Sequence, residues 1–400
     1  MIESQRKTGF GMDGLLPGVE RDGDSWVFRA YAPVREILRE TERVSQGAAS
    51  DNILVSRLRP SVFFLDGEPH RELRTAIARF FAPRTVDNEY GEFIDREVDQ
   101  LLDQLERDGR ADVSQLGMRL AVAVAARVVG LTDSVRPGMD RRIDTLLDGQ
   151  DVMKGASANR LKQLASNLDG FRKIGTFYLL DVLPAIRVRK KQKRDDVISH
   201  LVAKGYNHLE ILVECLTYGV AGMVTTREFI SVAAWHMLED EALRRTYVEA
   251  ERDERRRLLH EILRLEPVAS NLWRRVTEDL TIEYAGETHH IPAGSMIMLD
   301  LRTASADPEA VGQEPLRVRP GRPLPPGVAA QAMAFGDGAH KCPGAFLAIH
   351  ETDLFLHRLL SLPVRMVGEP RLYFNDLLKS YEIRDLIVER GSEDGAGAAV

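Results

Sequence analysis

The sequence predicts a mainly α protein with a minor β part. Apolar residues recur three and four apart over most of the first two-thirds of the chain. From about Val276 short alternating segments replace that period, and helical texture returns at Gly344.

Val98, Leu101, Leu102 and Leu105 mark one helical face, and Leu116, Met118, Leu120, Val122 and Val124 another. Gly47 to Asn52 and Gly155 to Asn159 read as loops. The basic run Arg187 to Arg194 reads as a solvated helix end or loop, because no aromatic residue interleaves with it. Asn207 followed by Glu210 has the form of a capping box. The period then runs to about Leu238, giving a helix of roughly 30 residues, or about 45 Å. Gly219 and Gly222 sit near its middle, where each glycine costs about 1 kcal/mol against alanine. They predict a flat helix face or a local bulge.

A further helix carries Glu261 and Arg264 and must end before Pro267. Leu280 to Gly294 reads as a hairpin, and Ser295 to Leu301 as another strand. Asp307 to Gly327, rich in proline and glycine, is too irregular for either class. No repeat or low-complexity linker divides the chain, so residues 1–390 read as one domain and 391–400 as a disordered tail.

Composition narrows the function. A net charge of −7 lacks the footprint of a nucleic-acid binder. Two cysteines in 400 residues exclude a disulfide scaffold and fit a reducing cytosol. The N-terminus lacks the apolar run of a signal peptide. No uncharged apolar stretch looks long enough to span a bilayer, since Glu214 interrupts the best candidate, Ile211 to Thr226. The expectation is a cytoplasmic protein without a membrane or nucleic-acid partner.

The strongest local signal is Phe335-Gly-Asp-Gly-Ala-His-Lys-Cys-Pro-Gly344. Gly336 and Gly338 permit a tight, partly left-handed loop and close approach to a flat partner. Pro343 suits a first helical turn. Cys342 would sit at that helix's N-terminus, where free N–H groups and the macrodipole favour a thiolate. With no other cysteine nearby, the arrangement suits one axial bond to iron and not a zinc site.

This spacing resembles the haem-binding loop of the cytochrome P450 superfamily, soluble bacterial type, with Phe335, Gly336, Gly338, His340, Cys342 and Gly344 at the hallmark positions. The resemblance implies a single-domain fold with haem b between the long central helix and the Cys-loop helix, and Cys342 as the metal ligand. Glu261 and Arg264 look like the family's Glu-x-x-Arg folding motif. Trp273-Arg-Arg-Val276 resembles the strand that sets an arginine against a haem propionate, and Arg274 fits that register better than Arg275. Asp66-Gly-Glu-Pro-His-Arg-Glu-Leu-Arg74, followed by Phe80-Phe-Ala-Pro-Arg84, resembles the His-x-x-x-Arg helix; there His70 and Arg74 would hold haem carboxylates. His340 and Arg274 would complete a cationic pocket, because buried carboxylates need partners.

Ala221-Gly-Met-Val-Thr-Thr226 resembles the family's oxygen-activating signature. Thr225 occupies the hydroxyl position, beside Thr226, and Ala221 and Gly222 face the haem. The position of the acid that relays protons holds Val224, which cannot relay one. Glu228, one turn on, reads as a substitute through water or as an ion-paired residue. Cys215 reads as a core residue.

The resemblance thus implies a monooxygenase that inserts one atom of O2 into a small organic substrate. Asn52 to Phe64, the middle of the long helix, Val268 to Leu272 and Tyr381 to Asp385 would wall the pocket, with Asn271, Tyr381 and Arg384 as possible polar contacts. Electrons would come from a separate ferredoxin and ferredoxin reductase, docking near Arg71, Arg79, Arg84 and Lys341. Val224 keeps open a haem-thiolate enzyme of atypical chemistry: peroxide use, coupling, nitration or isomerisation. A non-catalytic haem or ligand-binding protein is the third reading.

Overall fold

The computed structural model describes residues 2–9, 14–46, 59–147, 160–375 and 380–391. The expected loops at 47–52 and 155–159, the tail after Gly391 and residues 52–58 of the expected pocket wall lie outside them.

The structure is mainly helical with small sheets, as the periodicity predicts. Helix Gly91–Asp108 buries Ile94, Val98, Leu101, Leu102 and Leu105 as one stripe. It ends at Gly109 in the left-handed region (φ 67°), which lets the chain reverse into helix Val113–Val129. The long helix, His208–Glu239, packs on the latter. Asn207 accepts from the N–H groups of Leu209 and Glu210, and Glu210 accepts from Asn207 N–H, completing the expected capping box. Residues Gly219–Val224 form the bulge as a π-helical segment.

By length and composition this helix is apolar enough to cross a membrane, contrary to the expectation for the chain, and half of its most apolar window is buried inside the protein. Three of its four acidic side chains, Glu210, Glu214 and Glu228, are also buried, each in protein hydrogen bonds. The basic run ends helix Leu183–Lys191, and Arg189 within it is buried against Asp133 and Asp196. Cys215 is a core residue.

Four small sheets lie beside the helices among the described residues. The largest has strand order β1(Val19–Asp22), β2(Ser25–Phe28), β8(Met296–Asp300), β5(Asn271–Val276), β3(Val44–Ser45). Within it β2 and β8 run parallel, and Arg274 of β5 pairs with Ile297 of β8. The predicted hairpin is β6(Leu280–Tyr284) with β7(Glu287–Ile291), turning through Ala285 and Gly286, both at positive φ. The proline- and glycine-rich stretch is mostly irregular, as expected, except for a helical turn Pro308–Val311 capped by Asp307. One hydrophobic core lies among the helices and a second under the largest sheet.

A buried charge cluster lies at the end of one helix. Glu261 and Arg264, on helix Arg252–Leu265, form a bidentate pair at 2.7 and 2.9 Å. Arg322 adds a bond of 2.8 Å to the same carboxylate, and both arginines donate to backbone carbonyls between Ser305 and Arg317. Sequence reasoning found the pair but not Arg322, which reaches it from a distant irregular segment. Removing one partner of such a cluster leaves uncompensated charge in the interior. Glu261→Ala is therefore expected to cost about 3–5 kcal/mol, read as a lowered urea midpoint or loss of soluble folded protein.

Candidate functional site

The cysteine loop is shaped by its own backbone. Cys342 N–H donates to Phe335 O at 2.9 Å and Lys341 N–H to Gly338 O at 3.2 Å. Gly336 and Gly338 both take positive φ, 67° and 68°, as the left-handed loop requires. The close approach at Gly338 is, however, to the protein itself. A Cβ there would collide with the carbonyl oxygen of Leu38, at the end of helix Tyr31–Arg39. Asp337 fixes the same junction by accepting from Arg35 at 3.1 Å and Arg39 at 2.9 Å. The carboxyl of Asp337 would be raised by burial, but the Gly338 N–H and these two arginines hold it below its ordinary value.

The helix after the cysteine spans Ala345–Ser361 with Gly344 as its cap, so Pro343 stands before its first turn and not in it. The backbone N–H groups of Gly344 and Ala345 favour the charged form of the Cys342 sulfur, as the helix N-terminus predicts. Burial nevertheless dominates: it raises the thiol above its ordinary value, and those donors, Arg74 and Lys341 offset it only in part. The helix end favours a thiolate as expected, and burial opposes it. A bound metal cation would have to displace the proton.

Beside the loop lies a set of cationic and imidazole side chains from three separated stretches. His70, on helix Gly67–Ala78, is buried and stacks on His340 with ring centroids 4.1 Å apart. Burial, then His340 and Arg74, push its pKa down to about 4, so it is neutral at pH 7. Arg74, one turn on, donates to Lys341 O and sits within electrostatic reach of Cys342 and of Tyr218 on the long helix. Arg274 is buried on β5, while Arg275 is only half-buried. Its one side-chain hydrogen bond among the described residues goes to Trp273 O, at 2.8 Å. Burial lowers its pKa to about 10, with only Asp66 opposing.

Asp66, which sequence reasoning did not single out, is the carboxylate of this group. It accepts from His340 Nε2 at 3.0 Å and from Gln46 N–H at 3.0 Å. Burial would raise its carboxyl; His340, Gln46 and Arg274 hold it low. Asp66 precedes a helix, and in sequence it reads simply as a cap. It makes no side-chain cap bond, because its oxygens are used across the site.

On the long helix, Ala221, Gly222 and Thr225 form the more open side, whereas Val224 and Thr226 are buried. Thr225 Oγ1 donates to Ala221 O at 2.7 Å. Glu228 is fully buried and occupied: it accepts from Arg227 Nε at 2.7 Å, Arg384 Nη1 at 2.8 Å and Ile383 N–H at 2.7 Å. The ion-paired reading of Glu228 holds, and Arg384 is spent on the same carboxylate. Tyr381 is buried and donates to Glu266 O at 2.9 Å, which makes it a structural residue. Asn271 keeps a buried amide oxygen without a hydrogen bond among the described residues. Phe335 meets the His260 ring edge to face.

These donors fit a haem. A single thiol just before a helix N-terminus suits one bond to a haem iron. A buried guanidinium with no carboxylate at bonding distance among the described residues, facing the same Asp66 that His340 binds, suits a dianionic ligand.

Comparison with known proteins agrees. Residues 256–362 match the family model described as cytochrome P450. The vitamin D(3) 25-hydroxylase of Pseudonocardia autotrophica is 27 % identical over 362 residues, covering 85 % of this chain and 81 % of that protein. The crystal structure of a mutant of P450 EryK with erythromycin B superposes with TM-score 0.75 at 22 % identity, covering 95 % of this chain and 94 % of its own. P450BioI, solved with an acyl carrier protein bearing hexadec-9Z-enoic acid, gives TM-score 0.74 at 22 % identity, covering 95 % and 96 %. At that identity the two structures establish the fold alone.

The Gly338 junction gives a direct test. Gly338→Ala combines an unfavourable left-handed alanine with a backbone collision, and is expected to cost at least about 2–3 kcal/mol. Thermal unfolding or folded yield reads this; Gly344→Ala, with nothing near its Cβ position and φ −85°, should be far milder.

Proposed function

We propose that this chain is a haem monooxygenase of the cytochrome P450 family that would hold haem b through Cys342 and hydroxylate a small, largely apolar organic molecule. One arrangement supports the site assignment: the loop that carries Cys342 is tied through His340 to Asp66, and Asp66 faces Arg274, a buried guanidinium with no carboxylate at bonding distance among the described residues. Residues 1–390 would form the single unit that does this.

Cys342 would hold the iron, and Gly344 would leave its N–H free to donate to sulfur. Arg274, Arg74, His70 and His340 would hold the propionates, the two arginines by charge and the imidazoles by ring N–H donors. Phe335 would pack beside the sulfur and exclude water. Ala221 and Gly222, lacking bulk, would let the long helix lie against the ring. The bound haem supplies electron transfer to dioxygen and cleavage of the O–O bond, favoured by a thiolate ligand.

Thr225 would position protons. Its hydroxyl donates to Ala221 O in the ground state and so presents a lone pair to the open side. Rotation about χ1 would turn the same O–H toward a bound oxidant. Thr226, buried behind it, would set the packing of that turn. Val224 brings no proton donor, and Glu228 is held by Arg227, Arg384 and Ile383, so protons would reach Thr225 through solvent in the groove. This missing acid favours a second reading, a peroxide-using or otherwise atypical haem-thiolate enzyme. Val224→Asp would not decide between them, because the position is buried in the core and the new carboxylate would lack a partner.

The named activity of the vitamin D(3) hydroxylase and the erythromycin B bound to P450 EryK support a mid-sized, mostly apolar substrate. Electrons would arrive from a ferredoxin and its reductase in the cytoplasm. Of the expected docking cations, Arg71 and Arg79 already pair with Glu68 at 2.9 Å and Asp195 at 3.0 Å. Arg84 and Lys341 are exposed and would contribute more.

Two outcomes are expected. Arg274→Ala should lower haem retention on gel filtration several-fold while Arg275→Ala leaves it near wild type. With ferredoxin, reductase and O2, product formed per electron consumed should fall several-fold in Thr225→Val. Turnover that proceeds only with peroxide, unaffected by Thr225→Val, would establish the second reading instead.

A further inference from the structure

Glu214 lies on the long helix, one turn after Glu210 and one turn before Tyr218, and is buried. Nothing in the haem assignment uses it. Its carboxylate accepts from Val62 N–H at 3.0 Å and from the Ser61 hydroxyl at 3.1 Å. Ser61 caps the short turn Val62–Phe64, and Glu210 accepts from Arg59 N–H at 3.3 Å. The segment 59–64 is therefore fastened to the long helix by two glutamates. At its other end it runs into Asp66, which is fastened to His340 of the cysteine loop. One strap thus joins the two walls between which haem would lie.

We propose that Glu214 is a positioning residue whose carboxyl, by gaining or losing a proton, sets how readily the segment 59–64 lifts from the long helix. The inference rests on the reading above that this segment walls the substrate site.

The surroundings give the sign. Burial pushes the Glu214 carboxyl up to about 7, and only the bonds from Val62 and Ser61 oppose it. Tyr206, on the preceding turn, and Cys215 and Tyr218, on the same helix, feel its charge, and burial raises all three. Of the charged groups on the strap, Arg59 lies over the Tyr206 ring and near Glu210, and Asp66 is committed to His340. Asp196 and Arg74 lie beyond Cys215 and Tyr218. When the strap lifts, water reaches Glu214 and its pKa returns toward the ordinary 4.5. The lifted state then holds fewer protons than the closed one between about pH 4.5 and 7, so raising pH favours lifting.

Hydrogen–deuterium exchange of the haem-loaded protein tests this, with peptides covering 59–66 and amide rates corrected for the intrinsic effect of pH. Wild-type protection should fall roughly tenfold from pH 6 to pH 8. Glu214→Gln, a permanently neutral clasp, should keep the same protection at both. Glu214→Ala should be poorly protected throughout, while peptides from helix Val113–Val129 stay unchanged in all three. A wild-type slope no greater than that of Glu214→Gln, or an undiminished slope in Glu214→Gln, would overturn the proposal. The carbon monoxide spectrum of the same samples reports the haem separately, so a failure of the strap is distinguishable from a failure of the haem assignment.

Discussion

Asp66 is the carboxylate on which the candidate site depends. It binds His340 of the cysteine loop and the backbone of Gln46, and it is the group that opposes the desolvation of Arg274. One negative charge stands against the Arg274 guanidinium and a stacked imidazole pair. That is enough to fold the pocket and too little to neutralise it. The remaining positive charge is what a buried dianionic ligand needs, and burial, with His340 and Arg74 behind it, drives His70 to its neutral form.

Two rigid attachments then place the thiol within this field. The Glu261–Arg264–Arg322 cluster ties helix Arg252–Leu265 to the irregular stretch that leads into the cysteine loop. The Asp337 pairs with Arg35 and Arg39, together with the bare Cα of Gly338, tie the loop to helix Tyr31–Arg39. Opposite, the π-helical turn Gly219–Val224 leaves the carbonyl of Ala221 to Thr225, which gives that hydroxyl a defined resting orientation. The acidic residues of this protein mostly position other groups. Glu228 shows this clearly, since its location invites a catalytic role and its three bonds leave it none.

The helical fold was legible because it rests on local period and capping: the stripe from Val98 to Leu105 and the Asn207 box required no distant partner. The cysteine loop was legible because its chemistry is packed into ten consecutive residues. What escaped depends on tertiary contact. Arg322 joins Glu261 across a segment with no regular structure, and Asp66 looks like an ordinary helix cap until its oxygens are seen to point at His340 and Gln46. Gly338 was readable as a glycine needing space, but not that a neighbouring helix fills that space. At Cys342 the dipole is visible in sequence, whereas burial, which opposes it, is not.

The central claim is that Cys342 is the ligand of a haem iron. The most direct measurement is the carbon monoxide difference spectrum of the reduced protein, wild type beside Cys342→His. The wild type should show the strongly red-shifted band of a thiolate-ligated haem, and the histidine variant should lose it while retaining the fold. Absence of haem from the purified wild-type protein, or a red-shifted band that survives Cys342→His, would contradict the account.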